Sequence, residues 1–484
     1  MELLKRVTHP LVVVTNREPY IDERTRSGIR TIQKAGGVVS ALDPLLQSLG
    51  GDWVAWGSGT ADRDTAPKGT RLVPPKSPRY RLHRVFLSPE EIQGYYTHYA
   101  NQGLWPLSHL LIERAQFSRD AWPIYRSVNQ KFARRVAQQS PPQAWVFSHD
   151  YQLALLPQEL KKLRPDIAIA HFWHIPWPTF PVFRLCPQYQ EIVRGLLGAD
   201  ILGFQTPDDV DNFLTAVERT VKSALVDRDG GDIFWQGRTV RVRAIPISVD
   251  VEAIEALVES PRIARWARGI RRRLKASHRY LGVSVDRADY TKGILPRLAA
   301  IDAFFDRYPE HRGQVVFLQV VVPTRSEVEA YRKLFREVEQ ETLRINHRYA
   351  YGDWKPVITV RRAVDRARLM GIFRAADFAL VSSLFDGMNL VAKEFVSAQV
   401  DGRGVLLLSE TAGAAVELQE ALHVSPLDPE GLAATLHQAL TMPVSDREAR
   451  MRRMRQQVHE HTIYDWMAQI FELLQEVSET YARS

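Results

Sequence analysis

The chain has 484 residues, 45% of them hydrophobic and 25% charged, with 64 Lys+Arg against 56 Asp+Glu for a formal net charge of +8. That length and apolar content supply two or three domains with full cores, which excludes a disordered chain, and the mild basic excess fits anionic small molecules as readily as nucleic acid. One cysteine, Cys186, excludes an internal disulfide framework, and no apolar run approaches the roughly 18 residues of a membrane span, so cytoplasmic residence is the expectation.

Strand-like runs recur at Leu11–Asn16, Trp53–Trp56, Trp145–His149, Ile167–Trp173, Ile201–Gln205, Val240–Ile247, Tyr280–Val285, Val315–Val321, Val357–Val360, Phe378–Ser382 and Val405–Ser409. Most are separated by helix-length segments, the alternation of parallel, doubly wound sheets. So many strands need more than one sheet. The seam is expected after Val240–Asp250, because Pro261–Lys275 is a polar, basic helix leading to a fresh strand at Tyr280. The fold class is therefore α/β, with one domain over residues 1–248 and a second over residues 249–462. An amphipathic helix follows from about residue 463 to 484.

The polar residues that gather at strand ends carry the chemistry. Arg17 closes the first strand, where a guanidinium fork suits a phosphate. Gly36 and Gly37 open the helix Val38–Leu49; they allow close backbone approach to a phosphate, and equally a tight structural turn, since the G-x-G-x-x-G spacing is missing. Tyr96 and Trp105 belong to an aromatic stretch that suits sugar rings and also suits packing beneath loops. Asp150 and His174 each follow a strand, whereas His171 and His174 at i,i+3 across a strand-to-loop transition make a poor metal pair.

In the second half, VSVDRADYTKG delivers Asp286, Arg287, Asp289 and Lys292 beside a helix start. Two cations there neutralise a departing diphosphate; a surface salt-bridge cluster with the two aspartates reads the same way. Arg325 is another cation at a strand end. The stretch Phe378–Gln399 reads strand, turn, helix. Asp386 suits sugar hydroxyls, the amides of Gly387, Met388, Asn389, Leu390 and Val391 suit an anion, and Glu394 suits a ribose diol. An ordinary β-to-α turn with acidic caps accounts for the same residues. The arginines of Pro261–Lys275 form a solvated face or, in a nucleic-acid binder, a polyanion surface.

Taken together, TNR at Thr15–Arg17, AGGVVSAL at Ala35–Leu42, HDY at His149–Tyr151, HIPWP at His174–Pro178, DRADYTKG at Asp286–Gly293, PTR at Pro323–Arg325, DGMNLVAKE at Asp386–Glu394 and SETAGAA at Ser409–Ala415 resemble the trehalose-6-phosphate synthase family, retaining glycosyltransferase family 20. The resemblance implies two Rossmann-like domains facing a central cleft (the GT-B fold), an acceptor-binding domain first, a nucleotide-sugar-binding domain second, and a last helix returning to the first. It implies donor contacts from Gly37, Arg287, Lys292, Asp386, the Gly387–Val391 backbone and Glu394, and acceptor contacts from Arg17, Tyr96, Trp105, Asp150 and Arg325. Asp150, His174, Arg287, Lys292 and Asp386 surround the reacting centre. The implied reaction is front-face transfer of glucose from a nucleoside diphosphate glucose, UDP-glucose first among them, to glucose 6-phosphate. It uses no side-chain nucleophile, no metal and no cofactor beyond the co-substrate. Gln152, Ser248 and Phe385 depart from the usual family residues, and Trp177 is expected beside the sugar pocket. Glucosylglycerol-phosphate synthesis and a cyclitol-joining pseudo-glycosyltransferase are the alternatives within the family. No nucleic-acid or membrane partner is expected, and homo-oligomerisation is left open.

Overall fold

Asp52 and Arg84 show how this chain buries charge inside a parallel sheet, and they begin with the strands. The structure, a computed structural model, describes residues 6–33, 37–277, 279–325 and 328–483. It divides into two compact units, Met1–Ile247 with Ile463–Ser484, and Ser248–Thr462.

The first unit contains β1 (Leu11–Arg17), β2 (Tyr20–Thr25), β3 (Gly28–Gln33), β4 (Asp52–Trp56), β5 (Thr70–Val73), β6 (Tyr80–Val85), β7 (Trp145–His149), β8 (Ala168–Phe172), β9 (Ile201–Phe204), β10 (Leu225–Asp227), β11 (Asp232–Trp235) and β12 (Arg238–Ala244). All but β2 and β3 form one sheet in the order β10-β11-β12-β9-β8-β7-β1-β4-β6-β5. From β12 to β6 every neighbour is parallel, while β5, β10 and β11 add antiparallel edges. The central strands are apolar runs buried on both faces, as in the LVVV of β1. The chain order reverses between β1 and β7, so their carboxyl ends form a switch point where ligands bind in open α/β sheets.

Strand β6 was not expected, because YRLHRV lacks an apolar pattern. Its polar side chains are nonetheless paired, His83 and Arg84 inside and Arg81 at the surface. Arg81 and His83 reach Asp52 at 2.7 and 2.6 Å, and Arg84 reaches Glu18 at 2.7 Å, Asp62 at 2.9 Å and Asp22 at 3.1 Å. Burial and the neighbouring Asp62 push Glu18 up to about 8, against the pull of Arg84. The folded chain thus keeps a proton that the unfolded chain releases near 4.5, so this contribution is complete at low pH and is lost as pH rises through about 8. Glu18→Gln is expected to flatten the fall in stability between about pH 5 and about pH 8, checked by denaturant midpoints at both values.

The last helix, Ile463–Arg483, lies on the first unit. Trp466 packs among Phe147, His149, Phe172 and His174, and Tyr481 donates to Asp200 at 2.5 Å.

The second unit holds one wholly parallel sheet of β13 (Tyr280–Arg287), β14 (Val315–Val322), β15 (Val357–Val360), β16 (Phe378–Val381), β17 (Val405–Ser409) and β18 (Leu422–Val424). Its order, β15-β14-β13-β16-β17-β18, is the Rossmann order, with the switch point between β13 and β16.

Candidate active site

In the first unit the chain leaves β1 at Arg17, an exposed guanidinium set 4.7 Å from the ring centres of both Trp56 and Tyr96. Among the described residues no carboxylate pairs with Arg17, so the stacked rings hold it in place while its donors stay available. Tyr96 comes from the π-helical segment Ile92–Leu104, and Trp105 follows directly, buried 4.2 Å from the ring of His109 and 5.7 Å from that of Tyr151.

Asp150, just beyond β7, has φ 75°, a left-handed conformation that few non-glycine residues adopt. It is held there by its amide, which donates to Phe172 O at 2.7 Å, and by its carboxylate, which accepts from Tyr151 N at 3.0 Å and His174 N at 3.3 Å. Backbone strain fixed by such contacts gathers at functional sites.

His174 Nε2 lies 3.1 Å from His149 Nδ1. Burial pushes His174 down to about 3 and holds His149 well below its usual value, so both imidazoles are neutral at pH 7. The other nitrogen of His149, Nε2, is buried with no partner among the described residues. A bare lone pair there costs less than an orphan N–H, which assigns the shared proton to His149 Nδ1 and leaves His174 Nδ1–H as a donor. Trp177 is 1% exposed and packs on Phe183 and Phe213 at 4.3 and 4.9 Å, so it supports the loop from beneath instead of offering a face to a sugar. Gly37 begins the helix Gly37–Leu49, whereas Ala35 and Gly36 lie outside the described residues.

In the second unit the loops after β13 and β16 are sewn together. Leu384 N donates to Thr291 O at 2.7 Å, and Ser382 Oγ donates to Gly293 O at 3.2 Å. Gly293 has φ 59°, and a Cβ there would strike Ser382 O, so only glycine fits. Lys292 Nζ sits 2.5 Å from Asp386 Oδ2, which also accepts from Asn389 Nδ2 at 3.0 Å and Ser383 Oγ at 3.1 Å. Asn389, with φ 75°, caps the helix Leu390–Ala398 by accepting from Ala392 N at 3.2 Å. The amides of Leu390 and Val391 precede the intrahelical ladder and remain at the helix head, a natural anion seat.

Arg287 is exposed. Glu394, one helical turn on from Leu390, has no hydrogen-bonding partner among the described residues, and burial raises its pKa. A carboxylate in that state is suited to hydroxyl donors brought by a ligand. The aspartates near Arg287 are committed elsewhere: Asp286 to Arg297 at 2.7 Å and Asp289 to Arg325 at 3.1 Å. Burial would raise Asp289, but Arg325, Arg287 and Lys292 outweigh it and hold its pKa below the usual range. Arg325 also donates to Tyr331 Oη at 2.5 Å.

Arg297 was missed from sequence. It is 1% exposed in the helix Ile294–Arg307 and joins Asp286 to Ser382 Oγ, 3.3 Å away, across the switch point. A lone arginine at an otherwise apolar helical position was the available signal.

The two Rossmann-like units, with charged residues at each switch point, place the chain among the two-domain glycosyltransferases of GT-B type. It is similar to a structure from E. coli bound with UDP-2-fluoro glucose (TM-score 0.87, 32% identity, 96% of this chain and 99% of that one). It is also similar to the UDP-forming alpha,alpha-trehalose-phosphate synthase of Burkholderia xenovorans in complex with glucose-6-phosphate (TM-score 0.85, 32% identity, 96% and 100% covered). Trehalose-6-phosphate synthase of Mycolicibacterium smegmatis is 38% identical over 480 residues, 98% of this chain and 94% of the relative. The profile of glycosyltransferase family 20 matches residues 9–476, and the chain belongs to that family.

Proposed function

We infer that the protein transfers glucose, with retention, from UDP-glucose to glucose 6-phosphate and forms alpha,alpha-trehalose 6-phosphate. The observation that carries this is the second switch point, where Lys292, Arg287 and the helix head at Leu390 gather positive charge beside Asp386. Negative charge grows on the diphosphate as the glycosidic bond breaks, and preorganised cations and amides stabilise it without reorganising. Glu394, with no hydrogen-bond donor among the described residues, is assigned to the ribose hydroxyls, and Asp386 to the glucose hydroxyls while it orients Lys292.

In the first unit, Gly37 is assigned to the donor phosphates and His174 to the donor glucose. A neutral imidazole donates a hydrogen bond without repelling the positive charge that develops at the anomeric carbon. Arg17, Tyr96 and Trp105 are assigned to the acceptor, with Asp150 at its attacking hydroxyl. The leaving diphosphate takes the proton of that hydroxyl on the same face, and no metal is given a role. Arg325 is assigned to the acceptor phosphate, with Asp289 fixing its guanidinium. Relatives named as trehalose-6-phosphate synthases favour glucose 6-phosphate over glycerol 3-phosphate as acceptor.

Mixing UDP-glucose with glucose 6-phosphate is expected to release UDP and yield a disaccharide phosphate identified by mass; release only with glycerol 3-phosphate would overturn the acceptor. Arg17→Ala is the cleaner subsite test, because removing Arg325 also uncovers buried Asp289. It is expected to raise the glucose 6-phosphate KM by about tenfold or more and leave the UDP-glucose KM nearly unchanged.

A further inference from the structure

We propose that Glu310, His311 and His437 form a binding site for a divalent cation of the zinc class. Glu310 and His311 are neighbours in the single turn Pro309–His311, and His437 meets them from the helix Pro429–Thr441. His311 Nε2 and His437 Nδ1 are 3.0 Å apart, and Glu310 Oε1 is 3.8 Å from His437 Nδ1. One ligand atom from each residue lies within 4.8 Å of the other two.

Two nitrogens on a tetrahedral zinc, each bonded at about 2.0–2.1 Å, stand about 3.3 Å apart. The rings need to separate by only a few tenths of an ångström. An N–H···N hydrogen bond accounts for the two imidazoles, but not for the carboxylate that closes the third side.

Both rings are already aimed. His437 stacks on Tyr308 at 4.2 Å and 11°, and His311 stacks on Phe304 at 5.1 Å and 16°. His437 is partly exposed and Glu310 exposed, so an ion enters from solvent. Two imidazoles and one carboxylate select zinc or a neighbouring transition ion over magnesium and calcium, which take oxygen ligands. Three protein ligands leave a fourth position for water.

The site closes the far end of the helix Ile294–Arg307, whose 14 residues begin just after Lys292. At 1.5 Å per residue that helix is about 21 Å long, so the ion stands apart from the diphosphate site. Its effect is to clamp the Pro309–His311 turn to the helix Pro429–Thr441. A ligand that binds only the folded chain raises its resistance to unfolding.

The test is calorimetric titration of the full chain with ZnCl2, with CoCl2 as a spectroscopic probe. The wild-type chain is expected to bind zinc, to show the visible bands of tetrahedral cobalt, and to melt higher with zinc but not with equal MgCl2. His437→Ala, at a partly exposed position, is expected to weaken zinc binding at least about tenfold and abolish the bands, and Glu310→Gln to weaken it less. The chain has 14 histidines, so zinc binding that is equal in the wild type and both variants would place the ion elsewhere and overturn the proposal. Absence of zinc uptake by the wild type, or an equal response to magnesium, would overturn it too.

Discussion

Lys292→Ala is expected to lower kcat by about two orders of magnitude or more with UDP-glucose and glucose 6-phosphate, while the chain stays folded. On the donor assignment proposed above, Lys292 supplies a full positive charge where the diphosphate leaves, and loss of one such preorganised contact costs about 10²–10³ in turnover. Its second task is to neutralise Asp386 at 2.5 Å. Without it, Asp386 keeps the donors Ser383 and Asn389, so the loop remains anchored, but an uncompensated carboxylate then faces the incoming phosphates. Both effects act in the same direction, and the loss should appear in kcat and in kcat/KM. A single-turnover measurement checks it, and near-normal transfer would remove Lys292 from the reacting centre.

Arg84→Ala is expected to cost about 3–5 kcal/mol, the usual penalty for breaking a buried ion pair from one side. Arg84 has no side-chain exposure and serves Glu18, Asp22 and Asp62 together. Arg71 still reaches Asp22, but Asp62 loses its only ion-pair partner among the described residues, and Glu18 loses the guanidinium that donates to it. Because Glu18 directly follows Arg17, the acceptor assignment carries a corollary: partly folded Arg84→Ala should also bind glucose 6-phosphate more weakly. A denaturant melt of the variant reads the stability loss directly.

The parallel strands were legible where an apolar run fills them, as in β1, β16 and β17, because burial on both faces leaves a plain run of apolar residues. Strand β6 was hidden since its arginines and histidine find carboxylates that lie far off in sequence. The hairpin of β2 and β3 is mostly exposed, so burial imprinted no alternation on it. Residue type and strand-end position singled out Arg17, Asp150, Lys292 and Asp386 as candidates, and each does lie at or just beyond the end of a parallel strand or in the loops that follow. What they could not disclose was pairing: that Lys292 spends its charge on Asp386, that Asp289 holds Arg325, or that Arg297 reaches Ser382, 85 residues further along the chain. These contacts join distant segments, and no local pattern encodes them. The left-handed conformations of Asp150 and Asn389 were equally silent, because aspartate and asparagine are common in ordinary turns.

The return of the helix Ile463–Arg483 to the first unit makes the second unit an insertion within the first. A chain emerging from the ribosome therefore holds every strand of its leading half long before it holds Trp466 and Tyr481, which cover that half. The middle segment, contiguous in sequence, is free to mature ahead of it. The earlier segment is thus the one finished later, and until the helix Ile463–Arg483 is made its uncovered apolar flank is a target for chaperones and for aggregation.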